Sequence, residues 1–166
     1  HFHAFEMKGK ILGIVGMGRI GSRVAEIAKA IGMEILYYDV VANPQVEEKY
    51  GAQKIELEEL LKLSDYITLH VPATPETKYL INAERLKLMK PTTILVNAAR
   101  GTVVDTMALY DALKSGKLFG AAIDVFEKEP APADHPLFSL PNVVVTPHMA
   151  GHSDDALIAM SMVAKD

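Results

Sequence analysis

The segment Gly16-Met17-Gly18-Arg19-Ile20-Gly21 has the residue types and spacing of a phosphate loop. G-x-G-x-x-G is a weak pattern by itself, but here it follows a short apolar run, Ile11 to Val15, and opens a helical pattern. In that context Gly16 permits a tight turn, Gly18 lets the backbone approach a pyrophosphate, and Gly21 lets helix and strand pack closely. The free N–H groups and partial positive charge of the helix N-terminus then favour phosphate. The plainer reading, a glycine-rich turn without a ligand, does not use that context. Asp39 ends the next strand, eighteen residues after Gly21, where a carboxylate meets the ribose hydroxyls of NAD. The same carboxylate repels a 2′-phosphate, and Val40-Val41-Ala42-Asn43 offers no arginine to receive one. NAD is therefore favoured over NADP.

Four polar clusters follow later strands. They are His70-Val71-Pro72-Ala73-Thr74-Pro75-Glu76-Thr77, Asn97-Ala98-Ala99-Arg100-Gly101, Asp124-Val125-Phe126-Glu127-Lys128-Glu129-Pro130 and Thr146-Pro147-His148-Met149-Ala150-Gly151. Sequence spacing alone does not join them. In an open parallel sheet, however, ligands bind beyond the carboxyl ends of the strands, and that shared edge brings such clusters together.

The elements that must position these residues alternate along the chain. Apolar runs of strand length are read at 11–15, 34–38, 66–69, 94–96, 119–123 and 143–145. Between them lie helical patterns. Val24, Ile27, Ala28 and Ile31 share a helical spacing that Gly32 stops. A short charged helix follows Asn43-Pro44, another carries Leu57, Leu60 and Leu61, and a third spans 82–89 before Pro91. Asp105 is placed to cap a helix carrying Ala108, Leu109, Ala112 and Leu113. A proline-rich connection runs from Glu129 to Pro141, and the segment from Ser153 reads as helix. Strands without clean alternation are expected to be buried on both faces. The expectation is an α/β fold: a doubly wound, mostly parallel, Rossmann-type sheet in a single domain.

Composition agrees. The chain has 166 residues, enough for one domain with a real core. Hydrophobic residues make up 49% and charged residues 23%, which excludes a disordered chain. Seventeen Lys and Arg against 21 Asp and Glu give a net charge of −4, so no nucleic-acid partner is expected. No apolar run is long enough to span a membrane. The absence of cysteine excludes disulfides, thiolate metal sites and cysteine nucleophiles. His, Asp and Glu do not fall at zinc-site spacing, so no metal is expected. The chain starts His1-Phe2-His3 without an initiator Met. Residues 1–7 are read as a tag or truncation remnant, and a cytoplasmic location is the expectation.

Taken together, the chain resembles the NAD-binding domain of the D-isomer-specific 2-hydroxyacid dehydrogenases. The resemblance runs from Lys8 onward. It rests on Gly9-Lys10 with Gly13 to Gly21, His70-Val71-Pro72 with Thr74 and Thr77, Asn97 to Gly101, Val104-Asp105, Asp124 to Pro130 and Thr146 to Gly151. It implies hydride transfer between a nicotinamide cofactor and a D-2-hydroxy or 2-keto acid. It also implies that residues 8–166 form the cofactor domain of a longer enzyme whose substrate domain is absent here, and that the assembly is a homodimer. An NAD-binding module without turnover, a sensor or corepressor, is the alternative.

The resemblance also assigns roles. Arg100 matches the arginine that grips the substrate carboxylate, a task suited to its planar fork. His148 matches the proton donor and acceptor, a role its side chain can fill near neutral pH. Glu129 matches the carboxylate that orients it; charge alone does not choose between Glu129 and Glu127, and only the family's spacing does. Asp124 matches the contact to the nicotinamide end. Arg19 and Ile20 match the pyrophosphate lining, Val71, Pro72 and Thr77 the adenine and ribose side, and Ala98 and Ala99 the backbone beside the nicotinamide ribose. Gly151, with Arg100 and His148, completes the implied cofactor contacts. His70 is read as structural.

Overall fold

The computed structural model describes residues 6–163. Within them, strands and helices alternate as β1 (Ile11–Val15), α1 (Arg19–Ala30), β2 (Glu34–Tyr38), α2 (Pro44–Tyr50), β3 (Gln53–Lys54), α3 (Leu57–Leu63), β4 (Tyr66–Leu69), α4 (Ala83–Leu88), β5 (Ile94–Asn97), α5 (Thr106–Lys114), β6 (Gly120–Ile123), β7 (Val143–Val145) and α6 (Asp154–Val163). The strands form one sheet in the order β3-β2-β1-β4-β5-β6-β7. Every pairing is parallel. The order reverses between β1 and β4, and that switch point opens a crevice at the carboxyl edge.

The core lies on both sides of the sheet. Successive side chains on a strand point to opposite faces, so Ile14 packs with Leu12, Ala25, Ala28, Ile35 and Val46, while Val15 packs with Leu57, Leu60, Ile67 and Leu95. Both are fully buried. Two-sided burial holds for the central strands and fails at the edges. β3 is exposed, and Val144 and Val145 of β7 face solvent. α1 departs from its apolar spacing. Its buried face is Gly21, Ala25 and Ala28, whereas Ile27 and Ile31 are 53% and 44% exposed. Small residues let the helix lie close against β1, where an isoleucine would not fit.

Capping fixes where the helices start. The side chains of Asn43, Asn82 and Asp105 accept backbone N–H groups of α2, α4 and α5. Tyr37 is fully buried and its hydroxyl is satisfied by Glu47 and the Asn43 N–H. Sequence reading missed the two-residue β3 and the 3-10 turns at Gly101–Val103 and Pro136–Ser139, the second inside the proline-rich connection. The tag reading of residues 1–7 falls mostly on residues 1–5, outside the described residues; Glu6 and Met7 are exposed. No helix among the described residues is long and apolar enough to cross a membrane.

Candidate cofactor site and acid–base pair

The glycine loop sits at the switch point, between β1 and α1. Gly16 has φ +99°, and a Cβ there would meet the His70 carbonyl at 2.8 Å. A Cβ on Gly21 would lie 2.1 Å from the Gly16 oxygen. Gly18 is different: a side chain there would meet nothing within 4 Å, so the space above it is open to an approaching group. Gly18 caps α1 without a side-chain bond, and the first turn holds no acidic residue. The first-turn N–H groups therefore point outward without intrahelical partners. Arg19 and Ile20 flank them and are exposed.

Asp39 ends β2 beside this loop. Its Oδ2 accepts the Met17 N–H at 2.6 Å and its Oδ1 the Val41 N–H at 3.3 Å. Met17, Gly18, Asp39, Val41 and Asn43 line a cleft there. Outward donors for a pyrophosphate and a carboxylate beside them fit a dinucleotide. On the other side of the crevice, Val71 packs against the core and Pro72 is exposed. The Thr77 hydroxyl is spent within its own turn, donating to the Pro72 carbonyl at 2.6 Å and accepting the Thr74 N–H at 2.8 Å. His70 bonds the Thr68 hydroxyl at 3.0 Å, and burial lowers its pKa.

The clusters after β5, β6 and β7 converge farther along the same edge. His148 Nδ1 lies 2.7 Å from Glu129 Oε2, and Glu129 Oε1 accepts the Phe126 N–H at 2.9 Å. The His148 bond, then the Phe126 N–H and the charges of His148 and Arg100, hold the Glu129 carboxyl below its ordinary range against a small burial effect. Glu127 points elsewhere: its carboxylate accepts the Tyr79 hydroxyl at 2.9 Å. His148 has φ +55°, the left-handed region that few side chains adopt. Asp124 holds that backbone in place. It is buried, and its carboxylate accepts the Thr146 hydroxyl and the N–H groups of Met149 and Ala150, both at 2.9 Å. Burial pushes the Asp124 carboxyl up, but these bonds outweigh it and hold its pKa low.

Arg100 is exposed at the end of β5, with Nη1 donating to the Ala99 carbonyl at 2.6 Å. Ala98 is exposed and Ala99 buried. Asn97, buried at the strand end, shapes this turn: it accepts the Ala99 N–H at 3.1 Å and donates to the Arg100 carbonyl at 3.0 Å. A Cβ on Gly101 would lie 2.0 Å from the Phe126 carbonyl carbon, so the Arg100 turn presses against the loop that carries Glu129. Gly151 is exposed just past the His148 loop. An apolar pocket lined by Phe126, Pro130, Phe138, Val145 and Pro147 adjoins the Glu129–His148 pair. Among the described residues, no group of three or more His, Asp or Glu is placed to hold a metal. Asn97 stood in a motif without an assigned role, and the anchoring roles of Asn43 and Tyr79 were missed from sequence, where their only signal was a place near a strand end or a motif.

Residues 1–150 match the family model described as D-isomer specific 2-hydroxyacid dehydrogenase, NAD binding domain. The chain is 54% identical over 166 residues to the glyoxylate reductase of Pyrococcus furiosus, covering 99% of this chain and 49% of that protein. It is 46% identical over 166 residues to the D-3-phosphoglycerate dehydrogenase of Methanocaldococcus jannaschii, covering 99% of this chain and 32% of that protein. The D-lactate dehydrogenase of Lactobacillus jensenii, solved with NAD+, matches with TM-score 0.92 at 36% identity, over 98% of this chain and 52% of that one. The chain spans about half the length of the glyoxylate reductases it matches. By matched family model, sequence identity and shared fold, the chain belongs to the D-isomer specific 2-hydroxyacid dehydrogenases, as their NAD-binding domain.

Proposed function

We propose that this domain serves reversible hydride transfer at C2 of a D-2-hydroxy or 2-keto acid. The observation that carries the reading is the Glu129–His148 pair, 2.7 Å apart on the sheet edge that also presents Arg100 and the glycine loop. NAD, when bound, supplies the hydride acceptor in oxidation and, reduced, the donor in reduction. Arg100 receives the substrate carboxylate through its planar fork and polarises the adjoining carbonyl. Because His148 Nδ1 faces Glu129, its Nε2 is the atom that gives a proton to the 2-keto oxygen and takes it back in oxidation. Glu129 orients the ring by accepting at Nδ1. Asp124 keeps acceptor capacity for the nicotinamide end beside the loop bonds it already makes. Arg19, Ile20 and Gly151 line the cofactor, as do the backbone at Ala98 and Ala99 and the loop of Val71, Pro72 and Thr77. A homodimer is part of the same reading, with half-exposed Ile27 of α1 and Ile31 just past its end offering apolar surface.

The relatives' names place glyoxylate first among substrates to try. The test is NADH oxidation with a panel of 2-keto acids, glyoxylate included. Turnover above buffer that is lost in Arg100→Ala and His148→Ala supports the reading. A second reading is an NAD-binding module without turnover, a sensor or corepressor, resting on the glycine loop and Asp39 alone. Rates equal to buffer with NADH still bound would select it.

A further inference from the structure

We propose that Asn43 is a positioning residue for the cofactor: by holding the Met17 carbonyl it aims the Gly18 N–H at the pyrophosphate. The inference rests on the glycine loop as the NAD site and assigns the loop's shape to a residue outside the G-x-G-x-x-G pattern. Asn43 lies in the β2–α2 connection. Its Nδ2 donates to the Met17 carbonyl at 3.1 Å and to the Ser22 hydroxyl at 3.2 Å. Its Oδ1 caps α2 by accepting the Val46 N–H at 3.3 Å, and its own N–H donates to the Tyr37 hydroxyl at 2.8 Å. The side chain thus bridges the glycine loop, α1 and α2 from a fixed base on buried Tyr37.

The consequence follows from peptide geometry. The Met17 carbonyl and the Gly18 N–H belong to one planar trans peptide and point in opposite directions. A carbonyl held toward Asn43 therefore turns the Gly18 N–H the opposite way, and at Gly18 a Cβ would meet nothing within 4 Å, so no side chain or neighbour crowds an approaching phosphate. Gly18 on one side of this peptide makes its rotation cheap, and a rotated peptide would present an oxygen to the phosphates. The rest of the loop is held from the end of β2 and the start of the same connection. Gly16 N donates to the Tyr38 carbonyl at 2.8 Å, and Met17 N to Asp39 at 2.6 Å. Met17 therefore has both backbone polar groups bound before any ligand arrives, which removes an ordering cost from binding.

Asn43 has two jobs, and substitution separates them. Asn43→Ser keeps an oxygen able to cap α2 but has no amide to reach Met17 and Ser22. Its melting temperature is expected to stay within a few degrees of the parent, while its Kd for NADH rises about tenfold. Asn43→Ala loses both jobs and both quantities move. Where Asn43→Ser does not fold, Asn43→Asp, which caps and also lacks the donor, takes its place. The experiment is NADH titration by fluorescence alongside thermal melts. In isotope-labelled protein, the Gly18 amide resonance should shift on NADH addition in the parent and lose that shift in Asn43→Ser at equal occupancy. An NADH Kd within twofold of the parent in a folded Asn43→Ser variant overturns the proposal. Failure of the parent to bind NADH overturns the reading of the loop itself.

Discussion

Replacing Asp124 with alanine tests how the His148 loop is held. The carboxylate accepts three bonds from that loop: the Thr146 hydroxyl and the N–H groups of Met149 and Ala150. Bonds to charged groups are worth about 1.5–3 kcal/mol each when the partners stay dry. Here the three donors sit on an exposed segment and find water in the variant. About 1 kcal/mol each is the fair figure, or ~3 kcal/mol in all. In a chain of 166 residues, roughly 2–4 °C of melting temperature accompanies each kcal/mol, so Asp124→Ala should melt about 6–12 °C lower. The pH dependence has a definite sign. The folded Asp124 pKa lies below its ordinary value, so the contribution is full above the unfolded pKa, about 3.9, and is lost as pH falls through the folded value. The gap between parent and variant should thus be widest near neutrality and close in acid. Thermal melts from neutral pH to pH ~3, with amide exchange at residues 146–151, measure both. A drop under 2 °C with unchanged exchange at Met149 and Ala150 would refute the clamp.

Two further substitutions probe the cofactor loop. Gly21→Ala puts a methyl 2.1 Å from the Gly16 carbonyl oxygen, so the loop must move; NADH affinity should fall more than tenfold, and affinity within twofold of the parent would contradict the close-approach argument. Asp39→Ser removes the carboxylate that takes the Met17 N–H at 2.6 Å and that is proposed to meet the cofactor's ribose. NADH binding should weaken about tenfold and the NADH-to-NADPH preference should narrow, and an unchanged ratio from paired titrations would take discrimination away from Asp39.

The order of strands and helices was legible because each carries a local signal. The short apolar runs, the cap at Asp105 and the stop at Gly32 need only neighbours in sequence. β3 was invisible because Gln53 and Lys54 have neither apolar character nor length; pairing with Leu36 and Tyr37 alone makes them a strand. The α1 spacing misled for a physical reason. It marks where the isoleucines lie, but the depth of packing is set by the small residues Gly21, Ala25 and Ala28. At the site, the candidate residues could be named from sequence, but the side-chain bonds that support them could not. Glu127 and Glu129 are equivalent by charge. Only the fold shows one bonded to Tyr79 and the other to His148. Asn43 and Asn97 act through side-chain bonds to backbone, which have no sequence period.

These supports bear on where the geometry of the proposed reaction is set. The Asp124 N–H donates to the Asn97 carbonyl at 3.0 Å, joining the ends of β5 and β6. Asn97 shapes the Arg100 turn, Gly101 presses that turn onto Phe126, and the Phe126 N–H holds Glu129. Asp124 then fixes the backbone that carries His148. Arginine, carboxylate and imidazole are therefore tied to one another through contacts within this domain, the buried Asn97 and Asp124 among them. The relatives that match it are named for glyoxylate, 3-phosphoglycerate, D-lactate and D-mandelate, and the chain spans half or less of three of them and 52% of the lactate enzyme. Under the proposed function, one carboxylate-and-carbonyl machinery on this sheet edge would serve substrates that differ in their side chains. It also means that a variant here that disturbs Asn97 or Asp124 should lower turnover on every 2-keto acid alike, while changes in substrate preference should map outside this sheet edge.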